Sequence, residues 1–478
     1  MEDFGVVTEA AARGVAANFL EHFKDLKDPR MAGKITYPLG EVLLLAVAST
    51  VSDGDGFVDM EDYGKEKLAV LRHFLPYEDG VPTHGQLGYI FARLDGEAFR
   101  RCFAAWKKAE GIEDDTADGE EHAGPLPWKV AVAEDGKAAR GSRRRKGGNK
   151  VMTMVSAFGV RTRTVLAQAK VDQKSNEITA IPKLIEALGD VEGYVFTMDA
   201  MGCQRSVASD IVARKANYVL SLKGNQSSLH KDVVLFAAEQ KACNYRNSEV
   251  TVDESVTKGH GRVETRRTTV IGSTEWLQKR HAWPGLKSVV VVESIRETSR
   301  TPDPEPKPEA ADGPAPEGVA RDQAQPAETA VDSVAAAGAG CASGKGTKKS
   351  KSGKKKKAPK APDKTIQILP DGTEVTTERE TRFYISSMLF PATLMAILIR
   401  GHWAIENSLH WVLDCVFHED ASRVRTGSAP ENLTAVRHAA YNLLRRHEAR
   451  HPSKEPISMR RRRKKASRSD TFLMEAIL

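Results

Sequence analysis

The feature that most constrains the fold is a change of hydrophobic period near residue 127. Before it, apolar residues recur at three- and four-residue spacing in Leu39 to Val51, Lys65 to Leu75, Gln86 to Leu94 and Glu97 to Ala109, which predicts a small all-α domain. Pro82-Thr83 ahead of Gly85-Gln86 supplies a turn and a helix cap. After it, Val- and Thr-rich runs alternate every second residue. Strands are expected over 128–133, 150–158 and 162–171, then a helix over 176–188 capped by Ser175, a strand over 193–198, a helix over 204–215, a strand over 217–222 and a helix over 226–240. A β-β-β-α-β-α-β-α order makes a mixed sheet flanked by helices. Its first three strands meander and its later strands arrive by helical crossovers.

Two segments interrupt this pattern. Residues 300–363 are rich in Pro, Ala, Gly and charge, with almost no large apolar side chain to offset their ordering entropy, so they read as a long disordered insert. Residues 111–126 form an acidic linker. The expected organisation is a helical domain over 1–110 and an α/β domain over 127–299. That domain resumes over 364–450 and is followed by a basic tail over 451–478.

The net charge of +7 is unevenly placed. Residues 345–360 carry nine Lys and no acid, and 443–468 carry eleven Lys or Arg against two Glu, so the rest of the chain is net acidic. A nucleic-acid partner inferred from charge would therefore rest on two short segments. The five Cys form no CxxC pair, which argues against a zinc ribbon or a disulfide framework and for a reducing compartment. Cys102, Cys203 and Cys415 read as small core residues. The acidic start MEDFGVVTEA lacks the basic flank of a signal peptide, and Val42 to Val51 is half a membrane span. A cytoplasmic, nucleoid-associated protein with no membrane partner is expected.

Two carboxylates, Asp135 and Asp199, are placed at the C-terminal ends of the first and fourth strands. Past the insert, Pro391 to Phe417 reads as one long helix with His402, Glu406, His410 and Asp414 at four-residue intervals along a stripe. Singly, each has a plain alternative: Asp135 before Gly136 as a turn former, Asp199 as a turn cap, the stripe as a solvated face. Together, Asp135, Asp199 and Glu406 offer the all-oxygen ligands that hard cations such as Mg²⁺ take, and two such ions suit in-line phosphoryl transfer. A zinc or di-iron enzyme built on His402, Glu406 and His410 would need a second matched helix motif, and none is present.

Several long phrases carry a more specific signal: FKDLKDPRMAGKITYPLGEVLLLAV (23–47), EDGKAARGS (134–142), DQKSNEITAIPKLIEAL (172–188), TMDAMGCQ (197–204), YVLSLKGNQSSLH (218–230), GHGRVETR (259–266), RGHWAIENSLHWVLDCVFHEDASRVRTG (400–427) and RHAAYNLLRR (437–446). In this order they resemble the H-repeat-associated group of bacterial insertion-sequence transposases. The resemblance implies a DDE transposase whose ribonuclease H-like catalytic domain spans 127–299 and 364–450 and whose helical 1–110 domain binds DNA. It also implies metal-dependent cleavage and joining of transposon ends, with two Mg²⁺ or Mn²⁺ ions per active site held by Asp135, Asp199 and Glu406. The partners would be the double-stranded DNA of transposon ends and target, met by a homodimer.

Residues expected on DNA are Lys137, Arg140, Arg143, Arg144 and Arg145 after the first Asp, Lys223, Asn225 and Gln226 after the 217–222 strand, and Arg262 and Arg266, which alternate with His260 and Glu264 on a later strand. His402, Trp403, Asn407, His410, Arg423 and Arg425 flank Glu406. The wider superfamily's Tyr, Arg and Lys places around the final Glu are occupied by Ile399, His402 and Leu413, and only Trp403 to Glu406 keeps the core pattern. His410, or Arg423 with Arg425, is the expected substitute phosphate clamp. The alternative reading is an inactive or repurposed copy that binds DNA without moving it.

Overall fold

The computed structural model describes residues 9–109, 126–143, 151–172, 175–246, 248–259, 261–300, 363–370 and 373–477. Most of the acidic linker, Arg144, Arg145, His260, Cys341 and residues 301–362 of the insert lie outside them. The chain divides into two compact units, the larger comprising Met1–Thr257, Glu264–Ser294 and Glu380–Leu478, the smaller Lys258–Val263 and Ile295–Arg379.

In the larger unit the chain starts with helices α1 (Glu9–Phe23), α2 (Leu39–Val51), α3 (Phe57–Glu66), α4 (Leu68–Leu71), α5 (His84–Arg93) and α6 (Gly96–Ala109). Residues 41–51 of α2 are all buried, as an all-round apolar helix requires. The helix expected over 65–75 instead starts earlier and breaks at Lys67. The Asp59 carboxylate accepts from the amides of Asp55 and Gly56 at 2.9 Å each and fixes the start of α3. On α5, Thr83 and Gln86 close a reciprocal capping box.

Strands β1 (Ala131–Ala139), β2 (Met152–Gly159) and β3 (Val165–Lys170) follow, then α7 (Ile181–Leu188), β4 (Val195–Met198), α8 (Arg205–Ala213), β5 (Asn217–Leu222) and α9 (Ser227–Ala242). Next come β6 (Val250–Gly259), β7 (Arg262–Ile271), α10 (Glu275–His281), β8 (Ser288–Arg300), β9 (Asp363–Ile368) and β10 (Glu374–Ser386). The sheet order is β3-β2-β1-β4-β5-β10-β8-β7-β6, with β9 on β10. β1, β4 and β5 are parallel and their neighbours β2 and β10 antiparallel, which gives a ribonuclease H-like mixed sheet. Within the smaller unit, β9 pairs antiparallel with the Glu374–Arg379 part of β10. Residues 300 and 363, assigned to the insert by composition, are strand ends.

Two expectations need correction. β1 runs on through Glu134-Asp135-Gly136 to Ala139 because β2 pairs with it as far as Met152, so Asp135 lies within a strand rather than at its end. The 391–417 segment is not one helix: α11 (Ala392–His402) leads into a π turn over Ile405–His410, and then α12 (Trp411–Cys415). The wider π turn offsets the drift that a four-residue repeat accumulates on a 3.6-residue helix. Cys415 is exposed and Cys102 half-buried, and only Cys203 is the small core residue expected.

Alternation along β1 assigns its faces. Val130 and Val132 join the apolar cluster beneath α7, α8 and α9, Ala131 joins that of α11, and Ala133 packs in the cluster of Ile405 and Leu409. That last cluster also holds the N-terminal helices and the C-terminal helices α13 (Ala429–Arg450), α14 (Met459–Arg468) and α15 (Asp470–Ile477). The basic run 459–468 is therefore a packed helix. Arg463 is fully buried, donating to the carbonyls of Thr50 and Gly54, bonding the carbonyl of Val416 and pairing with Asp55 at 3.1 Å. Among the described residues no helix is long and apolar enough to cross a membrane.

Candidate active site

The parallel register Glu134↔Met198 ends the β1–β4 ladder and puts the next residues, Asp135 within β1 and Asp199 just past β4, at one level. Asp135 shares the odd-numbered face of β1 with Ala133 and Lys137, the face against which the π turn packs. His410 Nδ1 stands 3.5 Å from Asp135 Oδ2, and His402 Nδ1 is 3.1 Å from Thr197 Oγ1, two residues before Asp199. The segment carrying Glu406 is thus anchored to β4 on one side and β1 on the other. Asp199 caps its own turn, accepting from the amides of Met201 at 2.7 Å and Gly202 at 3.3 Å.

Burial pushes the Asp135 carboxyl up to about 7, with further repulsion from Asp199, Glu406 and Glu177. Burial also raises Glu134, which takes repulsion from Asp135, Asp199 and Glu177. Among the described residues its buried Oε2 has no hydrogen-bond partner. Glu177 is half-buried and raised by burial and by Asp199, and it lies so close over Gly136 that a Cβ there would collide with its carboxylate. Sequence reasoning missed Glu134 and Glu177. Glu134 was legible only as the neighbour of Asp135, and Glu177 only as part of the DQKSNEITA phrase. Glu134 and Gly136 point to the even-numbered face of β1, across the strand from Asp135, so the all-oxygen set that could hold a hard divalent cation is Asp135 with Asp199 and Glu406, the carboxylates that repel it.

Beside this acidic cluster lies a paired one. Lys137 is buried, its ammonium 2.6 Å from Asp414 and 2.9 Å from Glu419. Glu419 is itself buried: burial raises its carboxyl, but Lys137, Arg437 and the Thr434 hydroxyl hold it down at about 2. Lys137 therefore faces carboxylates, not solvent, unlike the DNA contact expected of it. Burial and the Lys137 charge hold His410 down at about 3, so it is neutral and not a cationic phosphate clamp.

The other expected DNA residues separate by exposure. Arg140 is 83% exposed, with its backbone amide on Asp420 at 2.9 Å. Arg143, Lys223, Asn407 and Arg423 are exposed. Trp403 is exposed beneath the Arg382 guanidinium, 4.9 Å from its ring centroid. Asn225 and Gln226 turn inward: their side-chain amides donate to Ala200 O at 2.5 Å and Cys203 O at 3.0 Å, bracing the turn that begins at Asp199. Arg425 donates from Nε to Gly141 O at 2.9 Å, where the absence of a Cβ lets the Ser422 carbonyl approach. Arg266 is paired with Glu264 at 2.9 Å. Arg262 belongs to the smaller unit, where it is exposed.

Among the described residues, the one group of three donor atoms within 4.8 Å of one another that suits a metal is His447, His451 and Glu475, on and just beyond α13 and on α15. It shares no residue with the acidic cluster.

The sheet is that of a ribonuclease H-like protein, with Asp135 inside β1, Asp199 just past the end of β4 and Glu406 on the helical segment packed over them. Comparison with known families makes the assignment particular: residues 119–443 match the family described as transposase DDE domain, and residues 20–107 the family described as DDE_Tnp_1-associated. The chain belongs to the DDE transposases of the H-repeat-associated insertion-sequence group. It is 31% identical over 437 residues to "Putative transposase YncI" of Escherichia coli O157:H7, covering 90% of this chain and 87% of that one. It is 28% identical to "H repeat-associated putative transposase YhhI" of Escherichia coli K12 over 89% of each chain. Against the 74-residue match to "Inactive transposase YbfQ" of the same strain, identity is 30%.

Proposed function

We propose that this chain is an active transposase that hydrolyses phosphodiesters at the ends of an insertion sequence and joins the freed 3′-hydroxyls to target DNA. Asp135, Asp199 and Glu406 are the catalytic carboxylates and the ligands of two Mg²⁺ or Mn²⁺ ions. The observation that carries this reading is the β1–β4 register, which sets Asp135 beside Asp199 under the π turn that bears Glu406. Bound ions would neutralise the carboxylates, polarise the scissile phosphate and activate the attacking hydroxyl. The chain's own residues do the rest. His410 and His402 hold the π turn against β1 and β4, Asn225 and Gln226 brace the Asp199 turn, and Lys137 balances Asp414 and Glu419 so that β1 can carry so much negative charge.

Double-stranded DNA would lie across the exposed cations Arg140, Arg143, Lys223 and Arg423, with Trp403 and Asn407 at the Glu406 turn. Arg266 and Arg425 are secondary contacts, Arg262 of the smaller unit is a separate one, and two subunits bring two ends together. The test is purified protein with DNA carrying the flanking terminal repeats, in Mg²⁺ or Mn²⁺. A nick at the repeat boundary that Asp199→Asn abolishes supports the proposal. Binding to the repeats with no cut under either ion overturns it in favour of a DNA-binding relic.

A further inference from the structure

We propose that His447, His451 and Glu475 bind a single zinc-type divalent ion that fastens α15 to α13. His447 and His451 stand one turn apart at the end of α13, and Glu475 reaches across from α15, its Oε2 3.6 Å from His447 Nε2. All three donor atoms lie within 4.8 Å of one another. Two imidazoles and a carboxylate are a set that zinc and its first-row neighbours prefer, whereas Mg²⁺ prefers oxygen alone. Water would complete a tetrahedron.

The second observation is His447 itself. Its side chain is 6% exposed, and among the described residues neither ring nitrogen has a partner at hydrogen-bonding distance, the Glu475 carboxylate standing 3.6 Å off. Buried polar atoms are nearly always paired, so two idle nitrogens on one ring need a reason. Packing accounts for the ring and not for its nitrogens: the imidazole lies against Phe472, with centroids 4.4 Å apart, and against His451 at 4.6 Å. Stacked faces leave the polar edge for a ligand. His451 is exposed and Glu475 is 38% exposed, which gives an ion its way in. Phe472, Leu473 and Ile477 already bury α15, so the ion is a tether on a docked helix and not a condition of folding.

The experiment uses full-length Asp199→Asn protein, to keep zinc from the acidic cluster, stripped with chelator and titrated with ZnCl2 in millimolar Mg²⁺. Expected are one zinc retained per chain, a Tm raised by several degrees and, with Co²⁺, the visible absorption of a four-coordinate site. His451→Gln, at an exposed position beyond the helix, should match the parent's metal-free Tm and lose at least tenfold in zinc affinity, as should Glu475→Gln. No zinc retained, equal retention in both variants, or retention without a Tm shift would each overturn the proposal.

Discussion

Asp135 faces the neutral imidazole of His410 across 3.5 Å, and no cation of the chain is ion-paired to it among the described residues. The nearest buried ammonium, Lys137, sits two residues along the same strand face and is committed to Asp414 and Glu419. The two acidic groups of the site are thus built differently, one repelling and one balanced. This difference governs how each responds to mutation and pH.

Replacing Asp135 with Asn should abolish DNA cleavage and raise stability in EDTA. A carboxyl with its folded pKa near 7 and an unfolded value of 3.8 loses stability as pH rises between those values. Linkage puts the limit at about 4 kcal/mol above pH 7. His410, held neutral in the folded state, has the opposite sign between about 3 and 6.5, so variant and parent must be compared at each pH. The Tm advantage of Asp135→Asn should grow from pH 4 to pH 7.5. A flat difference would show that the carboxylate is not under strain.

Glu419 should show the reverse dependence. Its folded pKa near 2 lies below the ordinary 4.5, so the stability it contributes is present above 4.5 and lost as pH falls toward 2. That contribution is about 3 kcal/mol. Glu419→Gln should flatten this limb of the acid transition. Lys137→Ala, which strands a buried carboxylate, should cost about 3–5 kcal/mol in urea unfolding, while Arg140→Ala should leave the midpoint unchanged and weaken DNA binding.

What the sequence could show depended on whether the signal was local. The order of strands and helices from β1 to α9 was legible because each apolar run is bounded by turn residues within itself, and β5 begins and ends where its pattern does. The end of β1 was not, because Glu134-Asp135-Gly136 breaks the apolar run while the pairing that continues the strand comes from β2. A 3.6-residue period likewise hides one inserted residue, so the π turn was invisible. Asp135, Asp199 and Glu406 were nominated from motifs, and the proposal keeps them. The burial of Lys137 and of Arg463 in the basic tail was not legible because a basic residue carries no local mark of burial, and the atoms that pair them, at Asp414, Glu419, Thr50 and Gly54, lie far away in sequence.

Asn225 offers a test of positioning apart from chemistry. Its amide holds Ala200 O in the turn that follows Asp199, and the side chain is otherwise exposed. Asn225→Ala should change Tm by under about 1 kcal/mol in equivalent stability yet lower the cleavage rate about tenfold or more, since a small displacement of Asp199 misplaces a reacting group. Asn225→Asp, which cannot donate, should do no better, and a variant at parental rate would leave the turn without a role.

The basic helix α14 should divide into two functional faces. Arg463→Ala removes hydrogen bonds to three backbone carbonyls and the pairing with Asp55 from a fully buried site, and should cost about 3 kcal/mol or more of stability. Arg460, Arg461 and Lys464 are exposed on the same helix. Their combined replacement by Ala should leave Tm in place, weaken binding to specific and random duplexes alike, and reduce the slope of log affinity against log salt by about 2–3 for three lost phosphate contacts. Discrimination between the terminal repeat and random DNA should persist, because contacts to phosphate position a duplex and contacts to base edges choose it. A triple variant that lost discrimination while keeping its salt slope would place α14 in a groove instead of along the backbone.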